Sequence, residues 1–252
     1  MDTRYTLEKR RALITGGGSG IGLAIATEMA QAGAQVVICG RRREPLEQAV
    51  STIGGGATYF VQDLTELKQL PDFAARIEQE CGPIDILVNN AGVNMKRSIL
   101  DTSDDQFSDI LRTDLNAVFS LTREVARHMV QRKNGTILMI LSMASLFGIP
   151  QVSAYTAAKS ALAGLVRELA TELSPRGITV NGIAPGWFDT AMSRNAFADD
   201  PKRLEKVLSR TPAGRLGRTE EVAYASVFLS SDAARFITGA ILPVDGGASI
   251  GF

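Results

Sequence analysis

The chain has 252 residues, of which 27 are basic and 27 acidic, so its formal net charge is zero; 45% of it is hydrophobic. A neutral balance leaves no bulk charge to hold nucleic acid or an anionic membrane, and the apolar share is that of a globular protein with a substantial core. One histidine, His128, and two cysteines, Cys39 and Cys81, cannot assemble a Cys/His zinc site, which needs about four closely spaced ligands.

No metal is therefore expected, and proton chemistry must rest on a residue other than histidine. The polar start, Met1 to Arg10, lacks the apolar run of a signal peptide. The densest apolar run, Ile137 to Leu141, suits a buried strand and is far too short to span a membrane. Two isolated cysteines read as free thiols in a reducing compartment, so the cytoplasm is the expected location.

In chain order, Ala12 to Thr15 reads as a strand running into glycines, followed by a helix from Ile21 to Ala32 that closes at Gly33. Gln35 to Cys39 and Thr58 to Val61 are the next two strands. Leu67 to Glu80 is helical, stopped by Cys81-Gly82-Pro83, and Ile84 to Val88 is a fourth strand. A long helix is expected over Asp105 to Arg132, then a strand from Thr136 to Leu141. A further helix covers about Ser153 to Leu173 and ends at Ser174-Pro175-Arg176-Gly177. Ile178 to Ile183 is a sixth strand; the helix Thr219 to Leu229 and the strand Ala240 to Val244 finish the pattern.

Strands this apolar, alternating with helices, belong to a parallel sheet covered on both faces. Right-handed crossovers then give a three-layer, doubly wound α/β fold, with ligands beyond the carboxyl ends of the strands. No linker or repeat divides the chain, so a single domain over residues 1–252 is expected.

Thr15-Gly16-Gly17-Gly18-Ser19-Gly20-Ile21-Gly22 lies between the first strand and the first helix. Glycines there allow a tight turn and close approach of a pyrophosphate, and the helix N-terminus offers unpaired N–H groups and a positive dipole end. A flexible turn is the plain alternative; the strand before and helix after favour a dinucleotide. The end of the second strand reads Cys39-Gly40-Arg41-Arg42-Arg43, with no acid before Glu44. Positive charge at a helix start opposes the dipole, so local stability does not account for the run. Guanidinium pairing with a 2′-phosphate does, which points to NADP(H), with Arg41 first and Arg42 second.

Tyr155 and Lys159, four residues apart, share one helix face. An ammonium there favours the phenolate form and makes the phenol a better proton donor. Ser142, at a strand end, can hydrogen-bond the same carbonyl. Alone, each is an ordinary surface or turn residue. Together with Thr15 to Gly22, Asn89-Asn90-Ala91-Gly92, Pro185-Gly186 and Val244-Asp245-Gly246-Gly247, they resemble the short-chain dehydrogenase/reductase family in order and spacing, over about residues 7–249.

The resemblance implies a Rossmann-type, seven-stranded parallel sheet and hydride exchange between a nicotinamide and a carbonyl/alcohol pair. It makes Tyr155 the general acid for reduction, Lys159 its tuner and a ribose ligand, and Ser142 the group that orients the substrate oxygen. Gly16, Gly18, Ser19 and Ile21 match the phosphate turn. Asp63 and Leu64 match the adenine side; Asn90, Ala91 and Gly92 match the ribose loop; Pro185, Gly186, Phe188 and Thr190 match the nicotinamide segment. A homotetramer and a small-molecule substrate are implied too, with no nucleic acid or membrane partner.

One position departs from the family pattern. Thr113-Asp114-Leu115-Asn116-Ala117-Val118-Phe119 places Asp114 where the family usually carries asparagine; Asn116 is displaced by two residues and faces elsewhere. Aspartate is nearly isosteric but brings a charge and loses two donors. A carboxylate near Lys159 stabilises the ammonium yet weakens its pull on the phenolate, so the relay behind the lysine that the resemblance implies is expected to survive with a higher apparent pKa for the tyrosine.

Other residues read as structural. His128 is expected in a partly exposed structural role, and Met139, Met143 and Met192 as core or pocket wall. Trp187 is a pocket wall or a lid residue. The segment from about residue 191 to 216 is expected to cover the substrate. Three functions compete: an NADPH-dependent reductase of ketones, aldehydes or sugar-type carbonyls; a 3-oxoacyl-carrier-protein reductase, with Lys133 and Arg176 as docking cations; and a non-catalytic dinucleotide-sensing scaffold, against which Ser142, Tyr155 and Lys159 argue.

Overall fold

Each of the seven apolar runs forms a strand in the computed structural model, which describes residues 3–190, 193, 194, 197 and 201–251. The strands are β1 (Arg11–Thr15), β2 (Gln35–Gly40), β3 (Thr58–Val61), β4 (Ile86–Asn89), β5 (Gly135–Ile140), β6 (Ile178–Pro185) and β7 (Ile241–Val244). They build one parallel sheet in the order β3-β2-β1-β4-β5-β6-β7.

Alternation along the strands sends side chains to two cores. From β1, Leu13 packs with Phe73, Leu121, Val125, Leu162 and Val166, under α3 (Leu70–Cys81), α5 (Ala117–Arg132) and α6 (Ser153–Leu173). Its neighbours Ala12 and Ile14 pack with Ile25, Met29, Leu46 and Val222, under α1 (Gly20–Gln31), α2 (Arg43–Ile53) and α8 (Thr219–Ser230). A one-residue slip would exchange the two faces, and each misplaced Leu or Ile costs about 1.5–3 kcal/mol, so the register is strongly specified.

Four elements differ from the pattern reading. The expected long helix is interrupted: α4 (Asp104–Leu111) passes into a π-turn, Arg112–Asn116, before α5. A π-turn keeps the chain helical while inserting extra residue into the winding, so periodicity does not reveal it. Two helices had no apolar stripe long enough to announce them. In α2 only Leu46 and Ala49 are buried, and α7 (Pro201–Arg210) carries five charged residues in ten. Finally, β4 begins two residues later than Ile84, because the Ile84 N–H is taken by the Glu78 carboxylate at 3.1 Å.

Candidate active site

Strand order reverses between β1 and β4, whose carboxyl ends lie side by side with Ile14 opposite Val88. Such a switch point opens a crevice for a ligand. Thr15, the last residue of β1, stitches the two exits together: its Oγ1 accepts the N–H groups of Asn90 and Ala91, each at 2.9 Å. The Asn90 side chain donates back to the Thr15 carbonyl at 2.9 Å. Thr15 is a functional-loop residue that the sequence reading quoted only as part of the glycine motif.

The glycine turn is a cradle that side chains would fill. Gly16 has φ of 65°, and a Cβ there would come within 3.0 Å of Asn90 Nδ2; at Gly22 a Cβ would lie 2.3 Å from the Gly16 carbonyl oxygen. Ser19, the residue before α1, makes no side-chain capping bond, so the N–H groups of the first turn are left for another acceptor. Ile21 sits in that turn, half-buried. These features fit a dinucleotide pyrophosphate.

At the end of β2, Arg41 and Arg42 are exposed and make no ion pair among the described residues, whereas Arg43 donates to Tyr59 at 2.9 Å and lies 3.7 Å from Glu47. Two of the three arginines, Arg41 and Arg42, are therefore left without a hydrogen bond or salt bridge among the described residues. Asp63, just past β3, folds back on Thr65, accepting from its N–H at 2.9 Å and its hydroxyl at 2.7 Å. Partial burial pushes the Asp63 carboxyl up, but the two Thr65 bonds and the Arg41 charge outweigh it and hold the group below its ordinary range. Leu64 turns away and packs on the core.

The catalytic candidates come together at the exit of β5 and the start of α6. Ser142 follows β5, and its Oγ accepts the Ala144 N–H at 3.1 Å. Tyr155 occupies the first turn of α6, and Lys159 lies one turn on. The Lys159 ammonium is 5.5 Å from the Tyr155 ring centre and donates to the Ile140 carbonyl of β5 at 3.0 Å. Gln151, with φ of 68°, enters this turn, and its carbonyl accepts the Arg97 N–H at 2.8 Å, tying the loop after β4 to α6. No sequence signal marked Gln151.

Asp114 arrives from the π-turn. It is wholly buried; Oδ1 accepts the Val93 N–H at 2.8 Å, and Oδ2 lies 3.6 Å from Lys159 Nζ. Gly92 makes room for it, since a Cβ there would approach Oδ2 to 2.8 Å. Burial pushes the Asp114 carboxyl above its ordinary range, opposed in part by the Lys159 charge and the Val93 bond.

Beyond β6, Pro185 and Gly186 border the crevice on their backbone, and Gly186 has no room for a Cβ beside Asp245, at 2.7 Å. The Phe188 side chain points into the core under α1 and α8 and fills the space over Gly217, so only its backbone faces outward. The Thr190 hydroxyl is bonded with Ser193. Trp187 is half-buried, and its carbonyl accepts the Gly217 N–H. Residues 191 and 192, including Met192, lie outside the described residues, as do 195, 196 and 198–200. The segment expected to cover the substrate contains α7, whose Arg210 guanidinium stacks 4.3 Å from the Phe147 ring centre.

Met139 and Met143 are buried. His128 is one-third exposed and pairs through Nδ1 with Glu78 at 3.0 Å, beside Arg132. Cys39 and Cys81 are free thiols, and burial pushes the Cys39 thiol up to about 12. Lys133 ends α5, and Arg176 follows the C-terminus of α6. Because α6 is 21 residues long, Arg176 sits about 30 Å along the helix from Tyr155 within one chain, and Lys133, whose carbonyl borders Gly177, lies at the same end.

Residues 16–249 match the profile of a family described as enoyl-(acyl carrier protein) reductase. The chain is 41% identical to gluconate 5-dehydrogenase of Gluconobacter oxydans, over 98% of this chain and 97% of that protein. It is 38% identical to the 3-oxoacyl-[acyl-carrier-protein] reductase FabG of Escherichia coli, over 95% and 97%. The crystal structure of a gluconate 5-dehydrogenase from Burkholderia cenocepacia, in complex with NADP and tartrate, superposes with a TM-score of 0.94 at 38% identity, covering 99% of both chains. Fold, glycine cradle, Ser142, Tyr155 and Lys159, and full-length similarity agree, and the chain belongs to the short-chain dehydrogenase/reductase family.

Proposed function

We propose that the chain interconverts a ketone and a secondary alcohol on a polyhydroxy carboxylate of the sugar-acid type, using NADP(H). The observation that carries the reading is the fixed Tyr155–Lys159 pair: an ammonium anchored to β5 and held 5.5 Å from the phenol ring, next to the β5 exit that bears Ser142. Bound NADPH supplies the hydride in the reducing direction. Tyr155 gives its proton to the developing alkoxide and recovers it in the reverse reaction, so atoms and charge balance. Ser142 turns from its Ala144 contact to donate to the substrate oxygen. Lys159 keeps the phenol acidic and holds the ribose.

Arg41 and Arg42 recognise the 2′-phosphate, while Gly16, Gly18, Ser19 and Ile21 cradle the pyrophosphate. Asp63 and Leu64 border the adenine, and Asn90, Ala91 and Gly92 border the ribose. Pro185, Gly186, the Phe188 backbone and Thr190 orient the carboxamide. A sugar-acid substrate is favoured by the names of the relatives, gluconate 5-dehydrogenases among them, and by tartrate, a hydroxy dicarboxylate, in one of them.

FabG relatedness keeps a carrier-protein thioester as the second reading. The experiment is oxidation of NADPH with the 5-oxo form of gluconate and with a 3-oxoacyl-carrier thioester, Tyr155→Phe serving as control. Turnover of the sugar acid, lost in the control, is the expected result. Turnover of the thioester alone selects the second reading, and none on either returns the dinucleotide-sensing scaffold.

Self-association completes the proposal. Phe119 is exposed beside Leu115 and Leu165, around a surface hollow of about 600 Å³ between α5 and α6, and this face suits a second copy in a tetramer. Among the described residues no helix is long and apolar enough to cross a membrane. The free thiols fit a reducing compartment, with the cytoplasm as the proposed location.

A further inference from the structure

The Asp114 carboxylate shares a sealed compartment with Lys159. Asp114 is 0% exposed and the Lys159 side chain 4%. From the loop after β4 the carboxylate meets only a backbone donor, Val93 N–H, and the backbone of Gly92. From β5 comes only the Ile140 carbonyl, which holds the ammonium. From α6 come Lys159 itself and, behind it, Tyr155. On the π-turn its near neighbour Arg112 is exposed. Oδ2 has no hydrogen-bond partner, so the charge of Lys159, 3.6 Å away, is the one compensation this oxygen has among the described residues.

A carboxylate and an ammonium in one water-poor space, with the half-buried Tyr155 phenol at its edge, interact strongly, because the field between the buried pair is little screened. We propose that Asp114 is a charge-setting positioning residue: its carboxylate cancels the Lys159 ammonium, so that Tyr155 gives up its proton only at higher pH than it would beside a neutral amide. The role of Tyr155 is taken from the proposed function, but the charge coupling stands on the geometry of the pair. A carboxylate next to the ammonium restores a net neutral environment for the phenolate, whereas an amide leaves the full positive charge to stabilise it. The pH at which the site changes from proton donor to proton acceptor moves accordingly. Chemistry in both directions remains, since the equilibrium of the reaction is fixed by substrate and cofactor.

Asp114→Asn tests this. The amide keeps an oxygen for the Val93 N–H and nearly the same volume. Two readouts are taken: the tyrosinate absorbance near about 295 nm, with Tyr155→Phe as the blank, and the alkaline limb of the reduction rate against pH. Both are expected to move down by about one pH unit or more in the variant. Midpoints that coincide within about 0.3 pH unit overturn the inference. The absorbance needs no substrate, so a shifted midpoint without turnover leaves the charge coupling standing and removes the functional reading. Should that variant not fold, Asp114→Ser, smaller and also uncharged, takes its place with the same two readouts and the same deciding outcomes.

Discussion

Under the proposed function Arg41 and Arg42 carry cofactor choice through charge, for neither makes a hydrogen bond or salt bridge among the described residues, while Arg43 is held by Tyr59 and Glu47. Removing two charge-assisted contacts from a phosphate costs enough to change selectivity. Arg41→Ala combined with Arg42→Ala is expected to raise the KM for NADPH about 10- to 100-fold and leave that for NADH within about threefold, as steady-state kinetics with both cofactors will measure. Equal losses for the two cofactors would remove the 2′-phosphate role. At the same scale, Gly16 and Gly22 were readable as glycines that a turn requires, but Asn90 Nδ2, an atom that a Cβ at either would meet, belongs to the loop after β4. Asp114 was readable as a departure from the family pattern. That it is sealed against Lys159 with one oxygen orphaned was not, because burial is a property of neighbours remote in sequence.

At the scale of elements, α8 is pinned at its start. Glu221 accepts two bonds from Arg215, at 2.8 Å and 2.6 Å, and one from the Arg218 N–H at 2.7 Å, which caps the helix and fixes the turn leading into it. The Arg215 bonds, then the Arg218 N–H, hold the Glu221 carboxyl at about 2, below its ordinary 4.5. A group whose acidity is increased by folding contributes its full stability above the unfolded value and loses it as pH falls toward the folded one. Glu221→Gln is therefore expected to lower Tm by about 2 °C at pH 7, a modest figure because solvent screens the exposed pair. The gap between native protein and variant should narrow as pH drops from 4.5 toward 2; thermal melts across that range will check it, and a gap that widens would contradict the assignment. The helices missed in the sequence, α2 and α7, fail for a shared reason: each is only ten or eleven residues long and carries few apolar residues, so the apolar period that marks α6 over its 21 residues is too short in them to read.

Across the whole molecule, the sheet order brings Thr15, Asn90, Ser142 and Tyr155, spread over 140 positions, to one edge, and leaves an apolar face on α5 and α6 uncovered in one chain. Phe119→Arg together with Leu165→Glu is expected to lower the particle mass in sedimentation velocity while leaving the fold intact by circular dichroism. An unchanged mass would remove this face from the proposed self-association. Such a face is invisible to composition, since Phe119 and Leu165, which form it, lie 46 positions apart in sequence.

The amino-acid sequence by itself determined the strands, their parallel arrangement, the glycine cradle, the three arginines and the Ser142, Tyr155 and Lys159 set, because each is written in local spacing and side-chain chemistry. Tertiary structure alone decided the π-turn that carries Asp114 inward, the Thr15 stitch between β1 and β4, the inward turn of Phe188 and the distance of Lys133 and Arg176 from Tyr155. These depend on which surfaces meet. Zero net charge and a single histidine excluded whole classes of chemistry at the outset; the buried pair of Asp114 and Lys159 is where that neutrality acquires a local, chemical meaning.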